Sequence, residues 1–239
     1  MPETLDSFLM TRPPTAERPL LGQTILVVED SRFACEALRM ICQRSGARIR
    51  RADSLRSANR HLRTYRPGIA LIDVGLPDGS GLGLIQHLAE QNGDDVVVIA
   101  MSGDDTNASA ALDAGASTFI AKPINSISAF QSAILSQLPK ASRPTAIRPV
   151  TTDEVIPDRI ALRDDLALAA DLLRGETDGS TIAYLGQFLI GVAKSADDAR
   201  LTDAARALIE AAGSASDVSA ALAKLRTLVT DRLASEQPV

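Results

Sequence analysis

The chain has no tryptophan, and only 3% of its 239 residues are aromatic. Its cores must therefore be built mostly from Ala, Leu, Ile and Val. Cysteine is almost absent: Cys35 and Cys42 stand seven apart inside one helical pattern, which stacks them on one face and predicts reduced core residues rather than a metal pair or a disulfide. Histidine is as scarce, with His61 and His87 on predicted helices of the first half, both expected to face solvent, and none thereafter. No apolar run approaches the roughly 20 residues that span a bilayer. The opening Met1-Pro2-Glu3-Thr4-Leu5-Asp6 lacks the basic and apolar regions of a signal peptide, so a cytoplasmic protein without membrane contact is expected. A basic excess is missing too. The formal charge of -5 and pI near 5.1 give no general attraction to polyanions.

What is present is ordinary for a soluble chain, with 45% hydrophobic and 23% charged residues, and the length suits two modest domains. The central stretch is Ile69-Ala70-Leu71-Ile72-Asp73, an apolar run that stops on one carboxylate and breaks into Val74-Gly75-Leu76-Pro77-Asp78-Gly79-Ser80-Gly81. It reads as a short strand buried on both faces of a parallel sheet. Asp73 then lies at the carboxyl edge, where open α/β sheets place their ligand crevice.

Residues 1–22 carry four prolines and no core pattern, and read as an extension. Ile25-Leu26-Val27-Val28 is a second apolar strand, ending on Glu29-Asp30, and Ser31 can cap the helix that follows. A strand around 47–51 and a polar helix around 55–65 lead to the Asp73 strand. Beyond it come a helix from Leu82, the strand Val96–Met101, a small helix ending at Gly115, the strand Thr118–Ala121 and a helix over 127–138. This alternation predicts an α/β fold, a five-stranded doubly wound parallel sheet. Residues 139–157, punctuated by Pro139, Pro144, Pro149 and Pro157, read as a Pro-rich linker. From Asp158 onward four apolar stripes at helical spacing predict an all-α four-helix bundle-like domain over 158–239.

Four strands of one parallel sheet thus end on functional residues: Glu29-Asp30, Asp73, Met101-Ser102-Gly103 and Lys122-Pro123. Three convergent carboxylates repel one another unless a cation sits among them, and oxygen-only ligands favour Mg²⁺. A carboxylate held in this way is a nucleophile toward phosphorus, with a lysine and a hydroxyl to cover phosphoryl oxygens.

Residues 23–138 resemble the receiver domain of two-component response regulators. The likeness rests on Leu-Val-Val-Glu-Asp-Ser, Leu-Ile-Asp followed by Leu-Pro-Asp-Gly-Ser-Gly, Met-Ser-Gly, and Phe-Ile-Ala-Lys-Pro, in that order. The resemblance implies that Asp73 accepts a phosphoryl group from a sensor histidine kinase or histidine phosphotransfer protein. It implies Mg²⁺ held by Glu29, Asp30, Asp73 and the Gly75 carbonyl, and Lys122 paired with the phosphoryl oxygen across a bond to Pro123 that can be cis. Ser102 and Phe119 would be the switch pair, although Phe119 reads equally well as plain core. Gly75 departs from the family, which usually has a larger residue there. Asp104 lies at a second flanking position that bears on phosphoryl lifetime. Such a receiver catalyses only its own phosphorylation and dephosphorylation, so no enzyme acting on an outside substrate is expected.

The resemblance stops before the second domain. From residue 151 on, nine basic residues face fifteen acidic ones, a net charge of -6, which disfavours nucleic acid as a partner. A histidine phosphotransfer module needs an exposed histidine, and none follows His87. The expected output is a protein-interaction or dimerisation domain, with a homodimer as one form. The alternatives are a degenerate phosphotransfer-like bundle acting on a kinase or phosphoprotein and, behind it, a DNA-binding regulator.

Overall fold

The computed structural model describes residues 13–92, 96–145, 153–175, 178–214 and 218–235. Strands β1 (Thr24–Val28), β2 (Arg48–Ala52), β3 (Ile69–Asp73), β4 (Val97–Ser102) and β5 (Thr118–Ala121) form one parallel sheet in the order β2-β1-β3-β4-β5. The connecting helices are α1 (Arg32–Ser45), α2 (Leu55–Thr64), α3 (Leu82–Asn92), α4 (Asn107–Asp113) and α5 (Ile127–Gln137). The expected α/β architecture is the observed one.

Side chains alternate across a strand, so the central strands feed two cores. Ile25, Val27, Ile69, Leu71, Ile99 and Met101 join Leu38, Ile41, Phe130 and Ile134 on one face. Leu26, Val28, Ala70, Ile72, Val98 and Ala100 join Ile85, Leu88 and Ala111 on the other. Cys35 and Cys42 are free and buried, as expected. Strand β2 lies at the sheet edge, and its Arg48, Arg50 and Arg51 are exposed, charges that discourage pairing with another sheet.

Helix starts follow their caps. Ser31 accepts from Ala34 N at 3.0 Å and Ser54 from Ser57 N at 3.2 Å. Asp78, in the segment after β3, reaches back to α2, accepting from Leu55 N at 2.8 Å and Arg56 N at 2.9 Å. His61 is half-buried rather than exposed, its Nε2 lying 3.0 Å from the Arg51 carbonyl, whereas His87 is exposed.

Two boundaries differ from the sequence reading. Of the extension, residues 1–12 lie outside the described residues, but Leu20 is fully buried in the core beneath α1 and α5 and its N–H meets Ser45 O at 2.9 Å. Of the linker, residues 146–152 lie outside the described residues, and the part that follows is stitched to α5. Asp153 accepts from Ser128 N at 2.8 Å and Ser126 Oγ at 2.6 Å, and Val155 is buried in the same core as Phe130. Hydrogen bonding and burial, which prolines alone do not reveal, hold this end of the linker down.

The second half forms four helices, α6 (Arg159–Arg174), α7 (Gly179–Ser195), α8 (Ala199–Gly213) and α9 (Val218–Ser235). They share one apolar cluster that includes Leu166, Leu173, Leu185, Leu189, Leu208 and Leu225. In α8 the apolar stripe runs through Leu201, Ala205 and Leu208 to Ala211, which is buried, while Ala212 is exposed. Asp198 caps α8, accepting from Leu201 N at 3.1 Å, and takes Arg232 Nε of α9 at 2.5 Å. Hydrogen bonding from Arg232 holds its carboxyl below the ordinary value of 3.8. A depressed carboxyl lends stability above its unfolded pKa and loses it as the pH falls through the folded one. Asp198→Ala should cost about 2 kcal/mol near neutral pH, from a lost cap and a charge-assisted bond. Urea unfolding at pH 7 and pH 3 checks this, and an undiminished cost at pH 3 would contradict the ionic part.

Candidate functional site at the carboxyl edge of the sheet

The parallel sheet brings the ends of β1, β3, β4 and β5 together. Glu29, Asp30 and Asp73 each present an oxygen within 4.8 Å of the others. Lys122 Nζ lies 2.6 Å from Glu29 Oε2 and 2.9 Å from Asp73 Oδ2, with all three side chains less than a tenth exposed. Ser102, 4% exposed, holds its hydroxyl toward the loop after β4, where Oγ accepts from Asp104 N at 3.1 Å and Asn107 Nδ2 at 3.0 Å. Ser102, Gly75 and the four charged residues border one small cavity. The Lys122-Pro123 bond is cis. Phe119 stands apart, half-buried against the α3 and α4 side of the sheet.

Burial dominates the electrostatics. It raises the Glu29 carboxyl to about 8, against the opposing pull of the Lys122 ammonium. It likewise raises Asp30 to about 6, with the charge of Asp73 adding to the effect. For Lys122, burial pulls the ammonium down, but Asp73 and Glu29 together outweigh it and hold it above the ordinary lysine range. The cluster thus has more buried negative charge than one lysine neutralises. Asp30 Oδ1 is buried without a hydrogen-bond partner, and Glu29 Oε2 meets Lys122 only as an ion pair. An all-oxygen donor set with an unpartnered carboxylate oxygen fits a hard divalent cation such as Mg²⁺.

The sequence reading missed what faces this edge. Helix α7 lies across it, with Gln187, Phe188, Gly191 and Val192 bordering the same cavity. The Tyr184 hydroxyl donates to Asp30 Oδ2 at 2.5 Å, and burial together with the charge of Asp30 keeps the phenol protonated far above its ordinary range. From α6, Asp165 is 2% exposed. It accepts from Ser31 Oγ at 2.7 Å, Arg32 N at 2.8 Å and Phe33 N at 3.0 Å. Glycines carried the signal. A Cβ on Gly75 would stand 2.5 Å from Gln187 Oε1, and one on Gly103 2.8 Å from Gly191 Cα. Gly75, where the sequence departs from the family, thus lies against Gln187 of the second domain.

A family model for the response regulator receiver domain matches residues 25–134. The KDP operon transcriptional regulatory protein KdpE of Escherichia coli (strain K12) is 31% identical over 126 residues, 53% of this chain and 56% of that protein. The virulence transcriptional regulatory protein PhoP of Salmonella typhimurium (strain 14028s / SGSC 2262) is 31% identical over 102 residues, 42% of this chain and 46% of that one. The signal receiver domain of a signal transduction histidine kinase from Syntrophus aciditrophicus aligns at 28% identity with a TM-score of 0.45, covering 54% of this chain and 98% of its own. The chain spans about half the length of the curated relatives it matches. Those relatives are named transcriptional regulators, so the expectation against nucleic acid draws no support from them. No helix among the described residues is long and apolar enough to cross a membrane. The ordered motifs, the strand order and the matched span converge on one conclusion: residues 25–134 are a response regulator receiver domain.

Proposed function

We propose that the chain is a cytoplasmic response regulator of a two-component phosphorelay. Asp73 accepts a phosphoryl group from a sensor histidine kinase or histidine phosphotransfer protein, and the modification switches the C-terminal helices as a protein-interaction or dimerisation domain. The observation that carries the reading is the buried cluster itself, with Glu29, Asp30 and Asp73 within 4.8 Å and Lys122 2.9 Å from Asp73 Oδ2.

Each residue has a task in that chemistry. An Asp73 carboxylate oxygen attacks phosphorus, the bond from phosphorus to the donor breaks, and the donor leaves with those electrons. With acetyl phosphate the leaving group is acetate. Lys122 pairs with a phosphoryl oxygen and the Ser102 hydroxyl takes another. Glu29, Asp30, Asp73 and the Gly75 carbonyl would hold Mg²⁺, which neutralises charge on the transferring group. The chain acts on its own carboxylate and on no outside substrate.

Acetyl phosphate with Mg²⁺ should label the wild type and leave Asp73→Asn unlabelled, read by intact mass and phosphate-affinity gels. Equal labelling of the two proteins would remove Asp73 from the role.

A further inference from the structure

We infer that the face formed by α7 and Asp165 is a receiver-recognition surface occupied by this chain's own phosphoacceptor edge, so that it must withdraw before Mg²⁺ and a phosphoryl donor can reach Asp73. The inference rests on the reading of Asp73 as acceptor and adds how access to it is controlled.

Three contacts carry it. Tyr184 holds Asp30, a proposed metal ligand, against α7 through a 2.5 Å hydrogen bond to its Oδ2. Asp165 sits at the N-terminus of α1 and takes three donors there, one of them the hydroxyl of the capping Ser31. A carboxylate in that position gains from the helix dipole as well as from charge-assisted bonds. Gly103 and Gly191 then let loop and helix backbones touch, 2.8 Å from where a Cβ on Gly103 would stand.

The geometry makes docking and phosphorylation exclusive. The cavity between Asp73 and α7 has a volume of about 10 Å³, close to the room one water needs. A phosphoryl group with a hydrated cation does not fit beneath the helix. A ligand that binds only the released state shifts the equilibrium toward release, and release favours that ligand by the same factor. Phosphorylation would therefore free Tyr184, Gln187 and Gly191 from the acceptor edge as one face.

The test uses the full chain with Asp165→Asn and Tyr184→Phe, two conservative changes on different helices. Mg²⁺ affinity is measured by titration calorimetry, domain separation by small-angle X-ray scattering, and Asp73 labelling by acetyl phosphate. Both variants should bind Mg²⁺ about tenfold tighter and label faster, since the fraction of open molecules limits apparent affinity. The radius of gyration of the wild type should rise with Mg²⁺ and beryllofluoride, and that of Asp165→Asn should be raised without them. Identical Mg²⁺ affinity, labelling rate and scattering in all three proteins would overturn the cover. Failure of the acceptor reading shows separately, as equal labelling of Asp165→Asn and the Asp73→Asn, Asp165→Asn double variant.

Discussion

Lys122→Met should lower stability by about 3 kcal/mol at pH 8 in metal-free buffer and cut acetyl-phosphate labelling by roughly a hundredfold or more. The ammonium sits between Glu29 and Asp73, at 2.6 and 2.9 Å, with nearly no solvent to replace it. Removing one partner of a buried ion pair leaves an uncompensated charge, which costs more than the intact pair contributes. The sign of the pH dependence follows from Glu29, which burial already raises to about 8 with the lysine in place. Such a carboxyl keeps its proton in the folded state at pH values where the unfolded chain has released it. Folding then takes up a proton, and stability falls as the pH rises from about 4.5 toward the folded value. Without Lys122 the opposing pull on Glu29 is lost and its folded value rises further, so the fall continues past the wild-type value and the deficit should be larger at pH 8 than at pH 5. Urea unfolding of both proteins at the two pH values decides it. An equal deficit at both would mean that lost packing of the lysine stem, rather than charge, sets the cost.

Leu185→Ala carries the other large effect. Leu185 is fully buried in the C-terminal cluster on α7. Truncating such a leucine typically costs 2–5 kcal/mol, so about 3 kcal/mol is expected here. Helix α7 also covers Asp73, and loosening it should speed acetyl-phosphate labelling severalfold while overall stability drops. Phe130→Ala, an equally buried change in the receiver core, should lower stability by a similar amount and slow labelling. The opposite signs separate uncovering from general unfolding. Slower labelling in both variants would show that α7 supports the acceptor rather than shielding it.

Much of this was legible along the chain because its cause is local. Continuous apolar runs such as Ile25 to Val28 and Ile69 to Ile72 specify buried strands, and their terminal carboxylates specify which edge is functional. Parallel pairing then gathers Glu29, Asp30, Asp73, Ser102 and Lys122 whatever the loop details. The four C-terminal stripes were equally readable, since a helix buries positions three and four apart. Leu20 and Val155 were misplaced because their burial depends on neighbours more distant in sequence, and His61 because its ring folds back to the Arg51 carbonyl of β2.

The docking of the two halves was another matter. Ser31 and Asp165 are 134 residues apart, and nothing in an amphipathic pattern says which polar residue on its outer face meets another domain. One clue did exist. Glycine inside a helix costs about 1 kcal/mol relative to alanine, yet α7 carries Gly186 and Gly191. Gly186 stands where a Cβ would be 2.5 Å from Ile209, and Gly191 lies against Gly103. The close contact that explains Gly186 lies inside the bundle, against the Ile209 side chain of α8, and is visible only in the fold. The sequence by itself determined the receiver fold, the acidic cluster and its lysine, because strand ends and apolar periodicity are properties of short segments. Only the tertiary structure decided that Tyr184 and Gln187 face the acceptor edge and that Asp165 docks on the start of α1, because that closure is made of contacts between surfaces that no local pattern pairs.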